Sequence, residues 1–233
     1  MPTLDVKVNG RDHRVEVEID STLLEVLRDN LLITGPKAGC NTGDCGVCSV
    51  LLDDQAGGQL ATRHLLQTGH QAIGYLSGPE VSHSGRLRAR GYRAALASAR
   101  LPYYADWVRP CAPVVEGGHE AARDLLQAHP ELTALFCYND LVAVGALHAC
   151  TELGLSVPHD VAVIGHDGIP LSAWVTPPLT TCLVPRYDLG GQAVRLLLEQ
   201  IEEGSKDGGQ EVVLRAELVV RASAPCREQE EKA

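Results

Sequence analysis

Short apolar runs alternate with helical patterns from residue 72 to residue 203, and this alternation limits the fold more than any other feature of the chain. Helical patterns lie near residues 86–99, 117–128, 140–153 and 188–203, between or after the runs AIGYLS, WVRP, ALFCY, VAVIG and LTTCLV. The stretch EVVLRAEL supplies one last strand. Strands that alternate with helices at this spacing predict an α/β fold, with a mostly parallel, doubly wound sheet.

Polar residues follow two of these predicted strands. Asn139 and Asp140 come after ALFCY, and Asp167 comes after VAVIGH. Because ligands bind beyond the carboxyl ends of such strands, these positions predict a small-molecule site. Asparagine offers both a donor and an acceptor, and an ionised aspartate offers acceptors only. Two alternatives stay open: Asn139 and Asp140 cap the helix that follows, or Asp167 is an ordinary loop residue.

The first thirty residues predict a small β unit. The stretch LDVKVNGRDHRVEVEID alternates apolar and polar residues on both sides of Asn9 and Gly10, which is a strong hairpin signal. The following STLLEVLRDNLL has a helical apolar period, and Thr22 and Glu25 are spaced for a capping box. We therefore expect a hairpin that is covered by one helix.

Three cysteines follow this unit in the stretch GCNTGDCGVC. Cys40, Cys45 and Cys48 have the C-x4-C-x2-C spacing of plant-type [2Fe–2S] proteins. Nearby glycines allow the tight backbone that such a cluster needs, namely Gly39, Gly43 and Gly46. The other five cysteines are scattered singly, and the N-terminus does not resemble a signal peptide, so a metal loop is favoured over disulfides.

The charge balance excludes several classes of function. The formal net charge is −10, from 30 acidic and 20 basic residues, so a large phosphate-backbone footprint and direct nucleic-acid binding are not expected. No apolar run reaches the ~20 residues that span a bilayer, and we expect a cytoplasmic protein without membrane contact. The sequence has no phosphate loop, nucleophile elbow or paired carboxylates, which predicts that the chain is not an enzyme.

Residues 3–53 closely resemble the N-terminal [2Fe–2S] domain of molybdenum-hydroxylase small subunits, the carbon monoxide and xanthine dehydrogenase family. The resemblance rests on VNGRDHRVEVE, TLLEVLRDNLL and GCNTGDCGVCSVLLD, and it implies a β-grasp fold that binds the cluster through Cys40, Cys45 and Cys48. That family's fourth ligand lies twelve residues after the third cysteine, a position that Leu60 occupies here.

Leucine cannot bind iron, so a complete cluster would need another ligand. The candidates are Asp53, Asp54, His64 or a distant cysteine. The alternative is that the three cysteines form an orphaned loop that holds no metal or binds zinc adventitiously. The family's second, helical iron–sulfur domain has no counterpart in the sequence, which makes the β-grasp unit a truncated one.

From residue 53 to residue 225 the chain resembles the effector-binding domain of lac-repressor and purine-repressor regulators. The motifs that carry this resemblance are DDQAGGQLATRHLLQTGHQAIGYLSGP, RLRARGYRAAL, ELTALFCYNDLVAVGALHACTELGLSVPHDVAVIGHD and TPPLTTCLVPRYDLGGQAVRLLLEQI. The resemblance implies that Arg88, Asn139 and Asp167 bind a sugar or nucleoside-like effector, that Asp140 is a helix cap, and that the chain forms homodimers. Pro113 stands where the family has an aromatic lid.

Together these features predict three segments: a partial β-grasp domain at 1–52, a partial effector-binding domain at 53–225, mainly its C-terminal subdomain, and a disordered tail at 226–233. The two patterns overlap at VLLDD, without a linker between them. We expect no helix-turn-helix in this chain, because the regulator family carries that module ahead of the matched region. A designed or recombined chimera, or a gene rearrangement, explains such a junction.

Three functions compete at this point. The first is an effector-sensing protein of the transcription-regulator type, fused to an incomplete [2Fe–2S] module and without its own DNA-binding module. The second is an iron–sulfur electron-transfer subunit of a molybdenum-hydroxylase-like oxidoreductase, with the C-terminal part as a docking appendage. The third is a chimeric remnant without an evolved function.

Overall fold

The computed structural model describes residues 3–8, 11–17, 26–31, 51–79, 81–203 and 212–226. The chain divides into two compact units. The first unit consists of Met1–Val50 and Tyr187–Val212, and the second consists of Leu51–Arg186 and Val213–Ala233. Each unit is described separately below. The tail predicted after residue 226 lies outside the described residues.

The first unit begins with the predicted hairpin. Strands β1 (Thr3–Val8) and β2 (Arg11–Glu16) pair antiparallel, from Thr3 opposite Glu16 to Val8 opposite Arg11. Of the predicted helix, only a π-helical turn at Val26–Asn30 is described, and its Val26 and Leu27 are buried. The Asn30 side chain donates a 3.0 Å hydrogen bond to the Glu16 carbonyl, which ties this turn to β2.

The second unit contains a six-stranded sheet. Its strands are β4 (Ile73–Ser77), β5 (Val108–Pro110), β6 (Ala134–Cys137), β7 (Ala162–Asp167), β8 (Thr180–Leu183) and β10 (Glu217–Val219). They lie side by side in the order β10-β8-β7-β6-β4-β5, and only β10 runs antiparallel to its neighbour. A separate parallel pair joins β3 (Leu51–Leu52) to β9 (Val213–Leu214). The predicted mostly parallel α/β sheet is confirmed.

Helices cover both faces of this sheet. They are α1 (Asp54–Gln67), α2 (His83–Ser98), α3 (Val115–Ala128) and α4 (Asp140–Glu152), with short 3-10 turns at Ala105–Trp107 and Pro170–Ala173. One buried cluster joins α3 and α4 to the sheet, and a second joins α1 and α2 to it. A further helix, Arg186–Glu203, lies in the first unit from Tyr187 onward.

Aromatic stacking organises the core on the side of α1 and α2. The ring of Tyr75 on β4 stacks on Phe136 of β6 with centroids 4.8 Å apart, and on Tyr92 of α2 with centroids 5.3 Å apart. All three rings are fully buried. Offset stacking at these separations adds to the stabilisation that burial alone provides.

The prediction of the last strand was wrong in one respect. EVVLRAEL was expected to form one strand, but the chain forms β9 and β10 with Arg215 and Ala216 between them. Arg215 is exposed, and its Nε lies 3.8 Å from an oxygen of Asp53. β9 pairs with β3, whereas β10 pairs with β8. Because the two partners differ, the strand is interrupted between β9 and β10.

Helix α1 was not predicted as a separate element, because two adjacent glycines lower its helix propensity. Those glycines serve the packing of α1. A Cβ at Gly58 would lie 2.3 Å from the backbone oxygen of Arg88, and a Cβ at Gly91 would lie 2.2 Å from the backbone oxygen of Gln55. The backbones of α1 and α2 thus approach so closely that neither helix has room for a side chain at these two positions.

We expect Gly58→Ala to lower the free energy of unfolding by about 2 kcal/mol, despite the better helix propensity of alanine. The clash is with backbone, so one helix must move. Urea unfolding followed by circular dichroism measures this. The control is Gly190→Ala in the helix Arg186–Glu203, where a Cβ meets nothing within 4 Å, and it should not lower the free energy of unfolding. If Gly58→Ala stabilises the protein, the close helix contact is absent.

Candidate functional site

The candidate site lies at the carboxyl edge of the six-stranded sheet. Asp167 is the last residue of β7, and Asn139 stands between the end of β6 and the start of α4. Arg88 reaches the same edge from α2. Parallel strands release their next residues on one side of a sheet, which is why residues far apart in sequence meet here.

Arg88 is the centre of a buried polar network. Its Nε donates to Asp54 Oδ1 at 2.8 Å, and its Nη1 donates to the Tyr138 carbonyl at 2.6 Å. Its Nη2 lies 3.2 Å from Asp167 Oδ1, and its guanidinium carbon lies 5.0 Å from the Tyr138 ring centroid. The side chain is 7% exposed, so the two carboxylates and the aromatic face replace most of its contact with water.

Asp167 is the most accessible member of this network. Its side chain is 36% exposed, and its backbone has a positive φ of 106°, which few residues other than glycine adopt. One oxygen, Oδ1, contacts both Arg88 and the Nδ1 of His166, the latter at 3.1 Å. The strained backbone and these two contacts aim a carboxylate beyond the end of the sheet.

The side chain of His166 contacts the Asp167 carboxylate and is fully buried. Burial lowers the pKa of His166, so the imidazole is neutral. A neutral ring that donates from Nδ1 to Asp167 keeps an unprotonated Nε2, and that atom has no hydrogen-bond partner among the described residues. Gly57 leaves the space for this ring, because a Cβ there would lie 2.5 Å from Nε2.

Asn139 takes the cap role that was predicted for Asp140. Asn139 is the N-cap of α4: its Oδ1 accepts from the Val142 amide at 2.8 Å, and its Nδ2 donates to the Pro113 carbonyl at 3.3 Å. Asp140 is not a cap. One of its oxygens accepts from the Ile169 amide at 2.8 Å, and the other accepts from Thr181 Oγ1 at 2.5 Å.

Asp140 therefore fixes the loop that follows β7. Its side chain is completely buried, and burial, opposed by the hydrogen bonds from Thr181 and Ile169, raises its pKa from 3.8 to about 6. A Cβ at Gly165 would lie within 2.2 Å of Asp140 Oδ1, so glycine is needed there. The network places the backbone beside Asp167 without taking part in the open edge.

The site also contains groups that the sequence did not predict there. Tyr138 is half-buried, and its hydroxyl lies 3.1 Å from Ser82 Oγ and 3.3 Å from Ser84 Oγ. Asp54 was considered only as an iron ligand. The Asp-Asp pair at the start of α1 could have indicated a further role for Asp54, because Asp53 alone suffices as the N-cap of this helix.

The cysteine loop cannot be compared with this site. Cys40, Cys45 and Cys48 fall outside the described residues, so their arrangement stays a prediction. In the described ranges no group of three or more histidine, cysteine or acidic side chains is arranged to hold a metal ion. Leu60, at the expected fourth position, lies within α1 and packs against the buried cluster on the side of α1 and α2.

The other candidates for the fourth ligand are engaged within the second unit. Asp53 caps α1 by accepting from the Ala56 amide at 2.8 Å, and Asp54 pairs with Arg88. His64 is 6% exposed, and its Nε2 lies 2.9 Å from the Ala224 carbonyl. Each of these three side chains thus already makes a structural contact in the second unit.

Most of the singly placed cysteines are buried or half-buried thiols. Cys137 and Cys150 are fully buried, and burial raises the pKa of both thiols, in Cys150 to about 11. Burial also raises the pKa of Cys111 to about 11 and that of Cys182 to about 12. Thiols that stay protonated near pH 7 are poor metal ligands and poor nucleophiles. Cys226 is exposed.

Across the described parts of the chain, no helix combines the length and the apolar character that crossing a membrane requires.

Two family models match the chain. The model for a periplasmic binding protein-like domain matches residues 62–224, and the model for a 2Fe-2S iron-sulfur cluster binding domain matches residues 6–71. The second match extends over α1, which belongs to the sheet-containing unit of the structure. The two matches overlap at residues 62–71, after the stretch VLLDD where the two sequence patterns meet.

Curated relatives are named as transcriptional repressors. The chain is 40% identical over 179 residues to the HTH-type transcriptional repressor PurR of Haemophilus influenzae strain PittEE, which covers 74% of this chain and 53% of that protein. It is 34% identical over 225 residues to PurR of Actinobacillus pleuropneumoniae serotype 3, covering 92% of this chain and 67% of that protein. The chain thus spans about half the length of the Haemophilus relative.

The solved structures that resemble the chain are also named as transcriptional regulators. A transcriptional regulator CelR–cellobiose complex matches with a TM-score of 0.70 and 33% identity, over 75% of this chain and 54% of that one. The transcription regulator GntR of Chromobacterium violaceum matches with a TM-score of 0.70 and 34% identity, over 78% and 66% of the two chains.

The relatives carry the names of transcriptional regulators, which agrees with the prediction that this chain is not an enzyme. The first family model covers well over half of the chain, and a curated relative that is 34% identical matches 92% of it. The chain therefore belongs to the family of periplasmic-binding-protein-like domains.

Proposed function

We propose that the chain senses a small-molecule effector, a sugar or a nucleoside-like compound, as part of a transcription-regulator-type protein. The observation that carries this proposal is the half-exposed carboxylate of Asp167, held at the end of β7 by Arg88 and His166. A rigidly held acceptor beside a guanidinium can select hydroxyl or N–H groups by direction as well as by charge.

The charge of the network favours a neutral effector. Arg88 contacts two carboxylates, Asp54 and Asp167, so its positive charge is already compensated. An anionic effector would add a third negative charge next to these groups, whereas a hydroxyl can donate to Asp167 without disturbing the pairs. Asn139, predicted as a third contact, would offer its amide once the 3.3 Å hydrogen bond to Pro113 opens.

The relatives support this class of ligand. One structural neighbour is a complex with cellobiose, which is a neutral polyhydroxyl compound, and several curated relatives carry the name PurR.

The proposal includes a cytoplasmic homodimer that does not itself contact nucleic acid. Light scattering after gel filtration tests the dimer, which should show twice the mass of one 24.9 kDa chain.

A thermal-shift screen followed by calorimetry tests effector binding. We expect at least one compound among cellobiose, other sugars, nucleobases and nucleosides to raise the melting temperature of the full chain. The matched variants are Asp167→Asn at the site and Asp124→Asn, whose side chain is exposed on α3. Losing a charge-assisted hydrogen bond should weaken binding about tenfold or more in Asp167→Asn and leave Asp124→Asn unchanged.

The proposal would be wrong if no compound of these classes stabilised the chain. It would also be wrong if a stabilising compound bound Asp167→Asn as tightly as the wild type, because the carboxylate would then play no part. Circular dichroism of the variant in the absence of ligand shows whether it has kept the fold.

A second candidate function rests on the match of residues 6–71 to the 2Fe-2S model. In this reading the N-terminal unit carries electrons through a cluster held by Cys40, Cys45 and Cys48. Anaerobic reconstitution with iron and sulfide tests it. About two irons and two sulfides per chain, with a visible chromophore that Cys45→Ser abolishes, would support the candidate. A colourless protein would refute it and leave the effector site untouched.

A further inference from the structure

A second concave site lies beside the outer edge of the sheet, apart from Arg88 and Asp167. It is a cleft of about 500 Å³ between the first three turns of α2, the segment after β4 and the edge strand β5. Pockets of ~300 to 1,000 Å³ are the usual size for small-molecule ligands. We call it the arginine cleft, after the side chains of Arg86, Arg90 and Arg93 in its wall.

The three arginines share one face of α2. Their spacing of four and three residues places them one above another over two helical turns, about 10 Å in length. The described lining contains no carboxylate; besides the arginines it consists of small, apolar and aromatic residues, among them Ala89, Tyr103 and Val108. This concentration of positive charge stands out in a chain whose formal net charge is −10.

Two of the three guanidiniums are held in place by contacts inside the protein. Arg86 Nη1 donates to the Val81 carbonyl at 3.0 Å, and the guanidinium carbon of Arg93 lies 5.0 Å from the ring centroid of Tyr103. That ring in turn meets the buried Tyr92 edge-on, with centroids 6.3 Å apart. These contacts restrain both side chains, and so they reduce the conformational entropy that is lost when a ligand orders them.

Arg90 lies between these two anchored side chains. It is exposed, and no hydrogen bond or ion pair to it is found within the part of the chain that the structure describes. A guanidinium presents a planar fork of N–H donors that matches phosphate oxygens in pairs. The cleft thus combines a donor set for anions with a floor of small residues and an aromatic wall.

We propose that the arginine cleft binds a small molecule that carries two or more phosphate groups. The length of the arginine row fits two neighbouring phosphates better than one, and a volume of about 500 Å³ is that of a small-molecule site. The acidic character of the rest of the chain also disfavours a long polyanion. This site is separate from the effector site, whose charge balance favours a neutral compound.

Calorimetric titration of the full chain with inorganic pyrophosphate tests the proposal, at constant ionic strength. We expect a dissociation constant on the order of 0.1 mM for the wild type. Arg90→Glu should weaken binding at least about tenfold, and Arg123→Glu, an exposed arginine on α3, should leave it unchanged. Raising the salt concentration to 0.5 M should weaken binding of the wild type.

Three outcomes overturn the proposal: no heat of binding up to 10 mM pyrophosphate, equal binding by Arg90→Glu and the wild type, or an equal loss in Arg123→Glu. If Asp167→Asn abolished pyrophosphate binding while Arg90→Glu retained it, the anion would occupy the effector site, and the arginine cleft would again be excluded. Since the effector screen uses uncharged compounds, the two proposals succeed or fail independently.

Discussion

Replacing Arg88 with methionine is expected to lower the free energy of unfolding by about 3 to 5 kcal/mol. The substitution keeps an unbranched apolar stem but removes the guanidinium, and with it the charge between Asp54 and Asp167. Asp54, whose side chain is 11% exposed, would be left as an uncompensated charge, and the Tyr138 carbonyl would lose its donor. Urea unfolding at pH 7, followed by circular dichroism, measures the loss.

The control for this prediction is Arg90→Met, two residues further along α2 and exposed, which should change stability by less than about 0.5 kcal/mol. A second variant separates the lost pair from general damage. Asp54→Asn combined with Arg88→Met removes the stranded charge and should recover about 1 kcal/mol or more. Equal stabilities of Arg88→Met and Arg90→Met would contradict the buried network.

The second large effect is expected at Asp140. Asp140→Ala leaves the Ile169 amide and Thr181 without their acceptor in a fully buried place, and we expect a loss of about 2 to 4 kcal/mol. Asp140→Asn keeps one acceptor oxygen and the side-chain volume, so its loss at pH 7 should be smaller. Thermal unfolding of both variants checks this order, and equal losses would contradict it.

The stabilities of the wild type and of Asp140→Asn should depend differently on pH, and the sign of the difference can be predicted. The pKa of Asp140 is raised from 3.8 to about 6 in the folded chain, so the protonated form is the one that folding favours. Its contribution is fully present below pH 3.8 and is lost as the pH rises through about 6. The stability of the wild type relative to Asp140→Asn should therefore fall by up to about 3 kcal/mol between pH 4 and pH 7. A rise over that interval would contradict the shift.

The sequence predicted the parts of the fold that depend on local patterns. Apolar runs of four to six residues between helical periods indicated the parallel sheet, and the general rule for such sheets pointed to Asp167 at the end of β7. The Asn9-Gly10 signal likewise predicted the pairing of β1 with β2. These features require only that neighbouring residues share a periodicity.

The remaining features depend on contacts between distant residues. The pairing of Arg88 with Asp54 spans 34 positions, and the contact of His64 with the Ala224 carbonyl spans 160 positions. Helix α1 was missed because the glycines that allow it to approach α2 lower its local helix propensity. Both Asn139 and Asp140 are suitable caps by residue type, and only the position of Thr181 and Ile169 decides which one turns inward.

Effector binding at the carboxyl edge of the sheet is the central claim, and amide chemical-shift mapping tests it most directly. The full chain, labelled with nitrogen-15, would be titrated with cellobiose and, separately, with adenosine. We predict that one of them shifts the amides of residues 138–140 and 166–169, and that Asp167→Asn removes these shifts. Shifts confined to other parts of the sheet, or no shifts with either compound at millimolar concentration, would contradict the claim.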